Sequence, residues 1–452
     1  MTKSSRNLLG RLLFQDKGIL PTGKLLSVLG IASILLIIAG GFGLPWPLVF
    51  LIDALLIGLS LCDLLLSPKK KEVGMSRQIE NQLERGLEYK VDLHIHNASH
   101  HEMLIEVKDG LPQVFEARFP LKGKIPASSS LSGSYNMVAP VRGDYNLSRI
   151  YLRYRSRFGL WAKQKTFETD DAVRVIPDLT ETRKVLEDAQ QYLMYEGQKI
   201  RKQKSGSGEF AKIRTYVTGD DPRMINWRQT AKLQEVMTNE YEPEHGKYIT
   251  ILIDCGRMMG AELKKGNRLE KSLEAAMTVA AAALKNGDYV SVIGFSREIK
   301  VYVPPAKGMG HMQTILEQIY SLQVDAAESN YALVFQHIQS VQRKRSLLLL
   351  FSDVHTFLNE DSLLFHFQRL RRQHLFLTIG VEDETVINRS KDEPANVKAT
   401  MIKSMAQQQI MEKRKEKMKW EKQGLHMLEA REEKLASTAV SHYIDVLNRG
   451  LL

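Results

Sequence analysis

Apolar and polar positions change their spacing along this chain, and each spacing predicts a different kind of element. Leu25 to Leu44 (LLSVLGIASILLIIAGGFGL) has no charged side chain, and Trp46 to Leu66 (WPLVFLIDALLIGLSLCDLLL) has only Asp53 and Asp63. Each run is about 20 residues, enough for a helix to cross a hydrocarbon core. The link around Pro45-Trp46-Pro47 is too short to hold a domain. The pair therefore predicts a transmembrane helical hairpin over 25–66, behind an N-terminal segment 1–24. A secretory signal peptide would have a shorter apolar core and a small-residue cleavage site. Asp53 falls inside the second run, and Asp63 lies near its end, within reach of the membrane interface.

Beyond Glu88 the spacing falls to two. YKVDLHIHN (Tyr89–Asn97), MLIEVKD (Met103–Asp109), QVFEARF (Gln113–Phe119), RIYLRYRSRFGLW (Arg149–Trp161) and VRVIP (Val173–Pro177) alternate, with Ser-Gly-Ser and Arg-Gly-Asp-Tyr among the turns between them. This predicts an antiparallel β-sandwich-like domain over 75–178. A connector follows over 179–247, charged and helical from Glu181 to Lys204 and flexible at Ser205–Gly208.

After Lys247 near-continuous apolar strands alternate with helices. The strands are YITILID (Tyr248–Asp254), YVSVIGF (Tyr289–Phe295), IKVYVPP (Ile299–Pro305), SLLLLFSD (Ser346–Asp353) and HLFLTIGV (His374–Val381). Such a pattern predicts an α/β domain over 248–400, with a mainly parallel sheet covered on both faces. The short link Ser296-Arg297-Glu298 makes one edge antiparallel. The segment 401–452 predicts a charged helix over Lys403–Lys434 and a closing helix. Met411, Met418 and Leu425 recur there at seven-residue spacing, as in a coiled coil or a solvated helix lying on the domain.

Charge adds a topology. Lys3, Arg6, Arg11, Lys17 and Lys24 precede the hairpin, Lys69, Lys70 and Lys71 follow it, and the turn has no Lys or Arg. The positive-inside rule places both flanks, and both termini of a two-pass chain, in the cytoplasm. The chain carries 63 basic and 52 acidic residues, a net charge of +11. Much of that excess sits where anionic lipid attracts it. No basic stripe with interleaved aromatics points to nucleic acid. Cys62 and Cys255 are too few for a disulfide framework and fit a reducing compartment. His94, His96, His100 and His101 read either as a metal-binding cluster or, more simply, as solvent-facing strand residues running into a loop.

Ligands of an open α/β sheet bind at the carboxyl ends of its strands. Asp254 in ILIDCGRMM and Asp353 in LLLFSDVH end two strands there, and paired carboxylates suit a hard divalent cation. Alternatively, the two aspartates cap the helices that follow. The layout resembles a von Willebrand factor A domain, a Rossmann-like fold. The resemblance implies a metal held by Asp-x-Ser-x-Ser, a Thr from a later loop and a second Asp. Asp254 and Asp353 match. Gly256 and Met258 stand at the serine positions and Asn330 at the threonine position, so any divalent cation would occupy a degenerate site. Serine at both 256 and 258 is expected to restore metal affinity.

The stretch Gly206–Lys232 reads GSGEFAKIRTYVTGDDPRMINWRQTAK. Its candidate residues are Gly208, Glu209, Phe210, Arg214, Gly219, Asp220, Asp221, Arg223, Asn226 and Trp227, either a buried ion-pair and turn network or a partner-docking surface. With the hairpin, the β domain and the ending SHYIDVLNRGLL, the block resembles the domain-of-unknown-function 58 family. The resemblance implies a membrane-anchored interaction protein working with a MoxR-type AAA+ ATPase. Membrane lipid is a further expected partner, and a second copy of the chain stays open. No cofactor and no enzymatic activity are expected. The alternative is metal-assisted hydrolysis by Asp254 and Asp353 with a loop residue such as His355, although the chain has no Gly-rich phosphate loop, nucleophile elbow or HExxH helix.

Overall fold

The computed structural model describes residues 18–42, 45–187, 209–242, 246–354 and 363–452. The chain is a mixed helix and strand protein with two compact units, Met1–Ile176 and Pro177–Leu452.

The first unit opens with β1 (Ile19–Pro21), α1 (Gly23–Gly41) and α2 (Trp46–Leu66). Both helices are long and apolar enough to cross a membrane. Leu26, Ile31, Ile34, Leu35, Phe50, Leu51 and Leu55 are all exposed. Helices apolar on every side need an apolar surrounding. Thr22 caps α1 by accepting from the Leu25 N–H. Asp63, near the end of α2, is 3% exposed and buried against the β domain.

That domain holds β2 (Val73–Gln78), β3 (Gln82–Glu84), β4 (Glu88–Asn97), β5 (Met103–Asp109), β6 (Glu116–Ala117), β7 (Leu121–Ile125), β8 (Ser129–Val138), β9 (Gly143–Arg155) and β10 (Trp161–Ile176). One sheet runs β1-β10-β9-β5-β7 and the other β2-β4-β8-β6. Val91, Leu93 and Ile95 of β4 meet Ile105, Val107, Ile150 and Leu152 of the facing sheet in one core. The predicted strand over 113–119 shrinks to Glu116–Ala117. The predicted strand over 149–161 is two strands, β9 ending at Arg155 and β10 starting at Trp161. The serine-rich stretch that reads as a turn is β8, paired along the whole of β4. Exposed His94 and His96 bond across that pair to Ser132 and Ser130, at 2.9 and 2.8 Å.

A charged group pins the two sheets. Arg77 of β2 and Asp109 of β5 pair at 2.6 Å, with both side chains 0% exposed. Arg77 also reaches Asp171 at 2.7 Å, beyond a register shift in the β9–β10 ladder. Tyr135 of β8 donates to Asp109 at 2.6 Å. Burial, then the Asp109 charge, pushes its phenol well up.

The second unit contains β11 (Glu209–Thr215), α3 (Trp227–Leu233), β12 (Met237–Glu242), β13 (Tyr248–Asp254), the short pair β14 (Glu262–Leu263) and β15 (Gly266–Asn267), α4 (Arg268–Lys285), β16 (Tyr289–Phe295), β17 (Ile299–Ala306), α5 (Gly310–Ile319), α6 (Tyr331–Val341), β18 (Ser346–Phe351), α7 (Leu363–Arg371), β19 (Leu375–Val381), α8 (Glu384–Lys391), α9 (Val397–Lys422), β20 (His426–Ala430) and α10 (Leu435–Asn448). The large sheet runs β17-β16-β13-β18-β19-β20. Its ladders are parallel except at the edge pair β16–β17. α6 and α7 pack on one face with Phe335, Phe367, Phe376 and Trp420, while α4 and α10 pack together on the sheet's other face.

The charged C-terminal segment differs from its sequence pattern. The helix stops at Lys422, Gly424 turns at φ +81°, and β20 joins β19 in parallel. Met411 and Met418 are exposed while Leu425 is fully buried. The seven-residue repeat therefore does not form one seam. Its last member belongs to the sheet domain's core.

Arg77→Ala would leave Asp109 buried with the Tyr135 hydroxyl but without its cation. A loss of about 3–5 kcal/mol is expected in chemical unfolding of the first unit, and a loss as small as the ~1 kcal/mol of a surface pair would contradict the pinning role.

Candidate functional site

Asp254 ends the central strand β13 and is 2% exposed. One carboxylate oxygen accepts the Gly256 N–H at 2.8 Å and the Ser329 hydroxyl. The other accepts the Tyr331 and Ser352 hydroxyls at 2.8 and 2.7 Å. Burial, and next to it the Asp254 charge, push the Tyr331 phenol well above its ordinary range. Tyr331 therefore stays a neutral donor. Four donors thus occupy both oxygens of Asp254.

Asp353 follows Ser352 beyond the end of β18 and is 6% exposed. It pairs with Arg268 at 2.6 Å, and Arg268 also reaches Asp383 at 3.3 Å. Arg268 is the first residue of α4, behind the Asn267 cap. A cation in a first turn opposes the helix dipole, so its place there follows from its carboxylate partners. Guanidinium is always charged, and Asp353 is neutralised by the chain itself.

Does this donor set fit a divalent cation? A Cβ on Gly256 would stand 2.1 Å from the Ser329 Oγ. The Ser329 hydroxyl fills the space that a serine at 256 would need, so Gly256→Ser requires that hydroxyl to move. Asn330 does not point at the site: its side chain accepts from Leu333 N–H at 3.1 Å and caps α6. Met258 is 39% exposed and offers a thioether, a poor ligand for a hard ion. Among the described residues no group of three or more His, Cys, Asp or Glu could hold a metal. The residues present do not fit one. Asp254 turns back on the Gly256 N–H in its own loop, and His355 lies outside the described residues.

The structure thus joins Asp254 to Asp353 through Ser352, and adds Arg268, Ser329 and Tyr331 to them. The sequence signal for Arg268 was a basic residue opening a strong helix. Ser329 and Tyr331 flank the Asn330 that stood at the threonine position. The loop carrying Ser329 is held by Asp325, which accepts from Ala327 N–H, the Ser296 hydroxyl and Lys300 at 3.1, 2.8 and 3.1 Å. These contacts hold Asp325 at about 2.

The signature block forms a separate module. β11 and β12 pair antiparallel. Arg214 grips Asp220 through two bonds of 2.7 and 2.8 Å. With the Val217 N–H, that grip lowers the Asp220 carboxyl to about 2. Gly219 turns at φ +114°, a conformation that favours glycine. Asp221 accepts from Arg223 N–H at 3.0 Å, and Asn226 caps α3 and bonds Asn239 at 2.9 Å. Glu209 and Phe210 lie in β11, and Gly208 lies outside the described residues. The ion pair is half-buried rather than buried, and Trp227 is 70% exposed. Val217, Leu233 and Val236 are exposed with it.

Residues 212–400 match the sequence model of a family described as "Protein of unknown function DUF58". The "Uncharacterized protein YeaD" of Bacillus subtilis (strain 168) is 24% identical over 205 residues, 45% of this chain and 49% of that protein. The chain thus spans about half the length of this curated relative. A solved structure, the ASH / PapD-like domain 7 of human CEP192, is similar over 23% of this chain and 85% of that domain, at 11% identity and a TM-score of 0.17; at that score it fixes neither fold nor function.

Gly256→Ser is expected to destabilise the second unit, and Ser329→Ala added to it to recover about 1–3 kcal/mol, a coupling readable in a double-mutant unfolding cycle. An aspartate held below its ordinary range stabilises the fold above about pH 4 and loses that contribution as pH falls toward its folded value. The stability deficit of Asp325→Asn should therefore be full at neutral pH and fade as pH falls through about 2. A deficit unchanged at low pH would contradict the ionic role.

Proposed function

We propose that this DUF58-family protein is a membrane-anchored interaction protein, not an enzyme, and that its α/β unit is a von Willebrand factor A-like domain whose strand-end face binds a protein partner without a metal. The observation that carries this reading is the closed strand-end site. Asp254 receives four donors and Asp353 a guanidinium. A hydrolase needs a carboxylate free to hold a metal or activate water, and neither aspartate is free.

The parallel sheet with one antiparallel edge supports the A-type reading. The hairpin's flanking cations support a two-pass topology with both termini in the cytoplasm. On the family resemblance, the partner is a MoxR-type AAA+ ATPase acting in complex assembly or in cell-envelope or stress processes. The signature module offers a second docking surface, since Trp227 and Val217 are 70% and 60% exposed and exposed aromatics are frequent interface anchors.

Tagged full-length protein, pulled down from native membranes with and without ATP, is expected to recover an AAA+ ATPase in a nucleotide-dependent manner. Trp227→Ala should reduce that recovery while leaving the melting temperature unchanged. Equal recovery by variant and wild type would remove the module from the interface, and no ATPase in either condition would overturn the partnership.

A further inference from the structure

The ends of both apolar helices grip one five-residue loop. Ser156–Leu160 joins β9 to β10. From the last turn of α2, Asp63 accepts the Ser156 hydroxyl, the Leu160 N–H at 2.9 Å and the Trp161 N–H at 3.3 Å. From the start of α1, the Thr22 hydroxyl bonds the Gly159 and Leu160 carbonyls at 2.7 and 2.9 Å, and the Lys24 ammonium donates to the Phe158 carbonyl at 2.9 Å. Lys163 adds bonds to the Ser67 and Pro68 carbonyls at 2.8 and 3.1 Å, just past α2. Asp63 stands three residues before the end of α2, within about 5 Å of it along the axis. The loop is therefore held at the level where both helices end.

Two side chains at its tip are turned outward. Phe158 is 60% exposed. Arg157 is 82% exposed and reaches Glu102 at 3.8 Å. Leu65, on the last turn of α2, is 82% exposed. A single exposed phenylalanine is ordinary on a protein surface. This one lies beside an arginine and a lysine, at the ends of two helices that need an apolar surrounding. At a bilayer boundary an exposed apolar ring gains by burial at the headgroup–acyl junction, and arginine favours anionic headgroups.

We infer that the Arg157-Phe158 tip is a third membrane contact, with the Phe158 ring seated at the interface and Arg157 against anionic lipid phosphates. It would add a lipid contact to the bonds by which the two helix ends already hold the β domain. The inference rests on the membrane-spanning reading of α1 and α2.

The test is nitroxide depth measurement on the full-length protein in phosphatidylcholine–phosphatidylglycerol vesicles. The label is placed at Phe158→Cys, Leu55→Cys or Lys90→Cys, each in a Cys62→Ala background; Cys255 is 0% exposed and takes no label. The expected result is a label at 55 open to oxygen and closed to a water-soluble nickel complex, one at 90 open to nickel, and one at 158 that has lost nickel access and gained oxygen access relative to 90. If 55 reads as membrane and 158 reads as 90 does, the inference fails while the hairpin stands. If 55 also reads as water, the spanning reading fails and takes the inference with it. Should the cysteine variant misfold, Phe158→Trp supplies the readout. Headgroup-proximal brominated lipid should quench the emission it adds to wild type, and unquenched added emission would overturn the inference.

Discussion

A charged carboxylate at the end of a buried strand must find its partners where it stands, and the second unit is organised around meeting that demand at Asp254 and Asp353. Asp254 collects donors from its own loop, from the loop before α6, from α6 itself and from the end of β18. Asp353 collects the guanidinium that opens α4. The two carboxylates thus tie the sheet's central strands to helices on both of its faces. Removing an isolated buried partner is costly because the remaining charge cannot be hydrated. The same bonds that stabilise the unit occupy both strand-end carboxylates.

The first unit answers the same demand with other aspartates. Asp109 joins the two sheets through Arg77 and Tyr135. Asp63 joins α2 to the loop between β9 and β10. In each case one carboxylate binds segments far apart in sequence, so its hydrogen bonds act as tertiary constraints where apolar packing alone would leave orientation loose.

Much of the fold was legible because periodicity reports directly on burial. The apolar runs became α1 and α2, and the alternating MLIEVKD became β5. The apolar strands at 248–254, 289–295 and 346–351 took the central places of a parallel sheet. Legibility ended where a strand's partners, not its own side chains, decide its state. β8 presents Ser130, Ser132, Ser134 and Asn136 on its outward face, yet β4 pairs its full length. Residues 426–430 continue a helical charge pattern, but Leu425 and Met427 are drawn into the core beside Trp420. At the site the aspartates were visible as strand-end residues. Their donors were not, because Arg268, Ser329 and Ser352 come from a helix start, a loop and a strand end that only the tertiary fold brings together.

The central claim is that the strand-end site is satisfied by the chain itself and has no place for a divalent cation. The most direct measurement is the melting temperature of the detergent-solubilised full-length protein with and without millimolar Mg²⁺ or Mn²⁺, since a ligand that binds only the native state must stabilise it. The account predicts the same melting temperature in all conditions, with the second unit's transition unmoved. A rise that saturates with ion concentration, and is lost in Asp254→Asn, would contradict it.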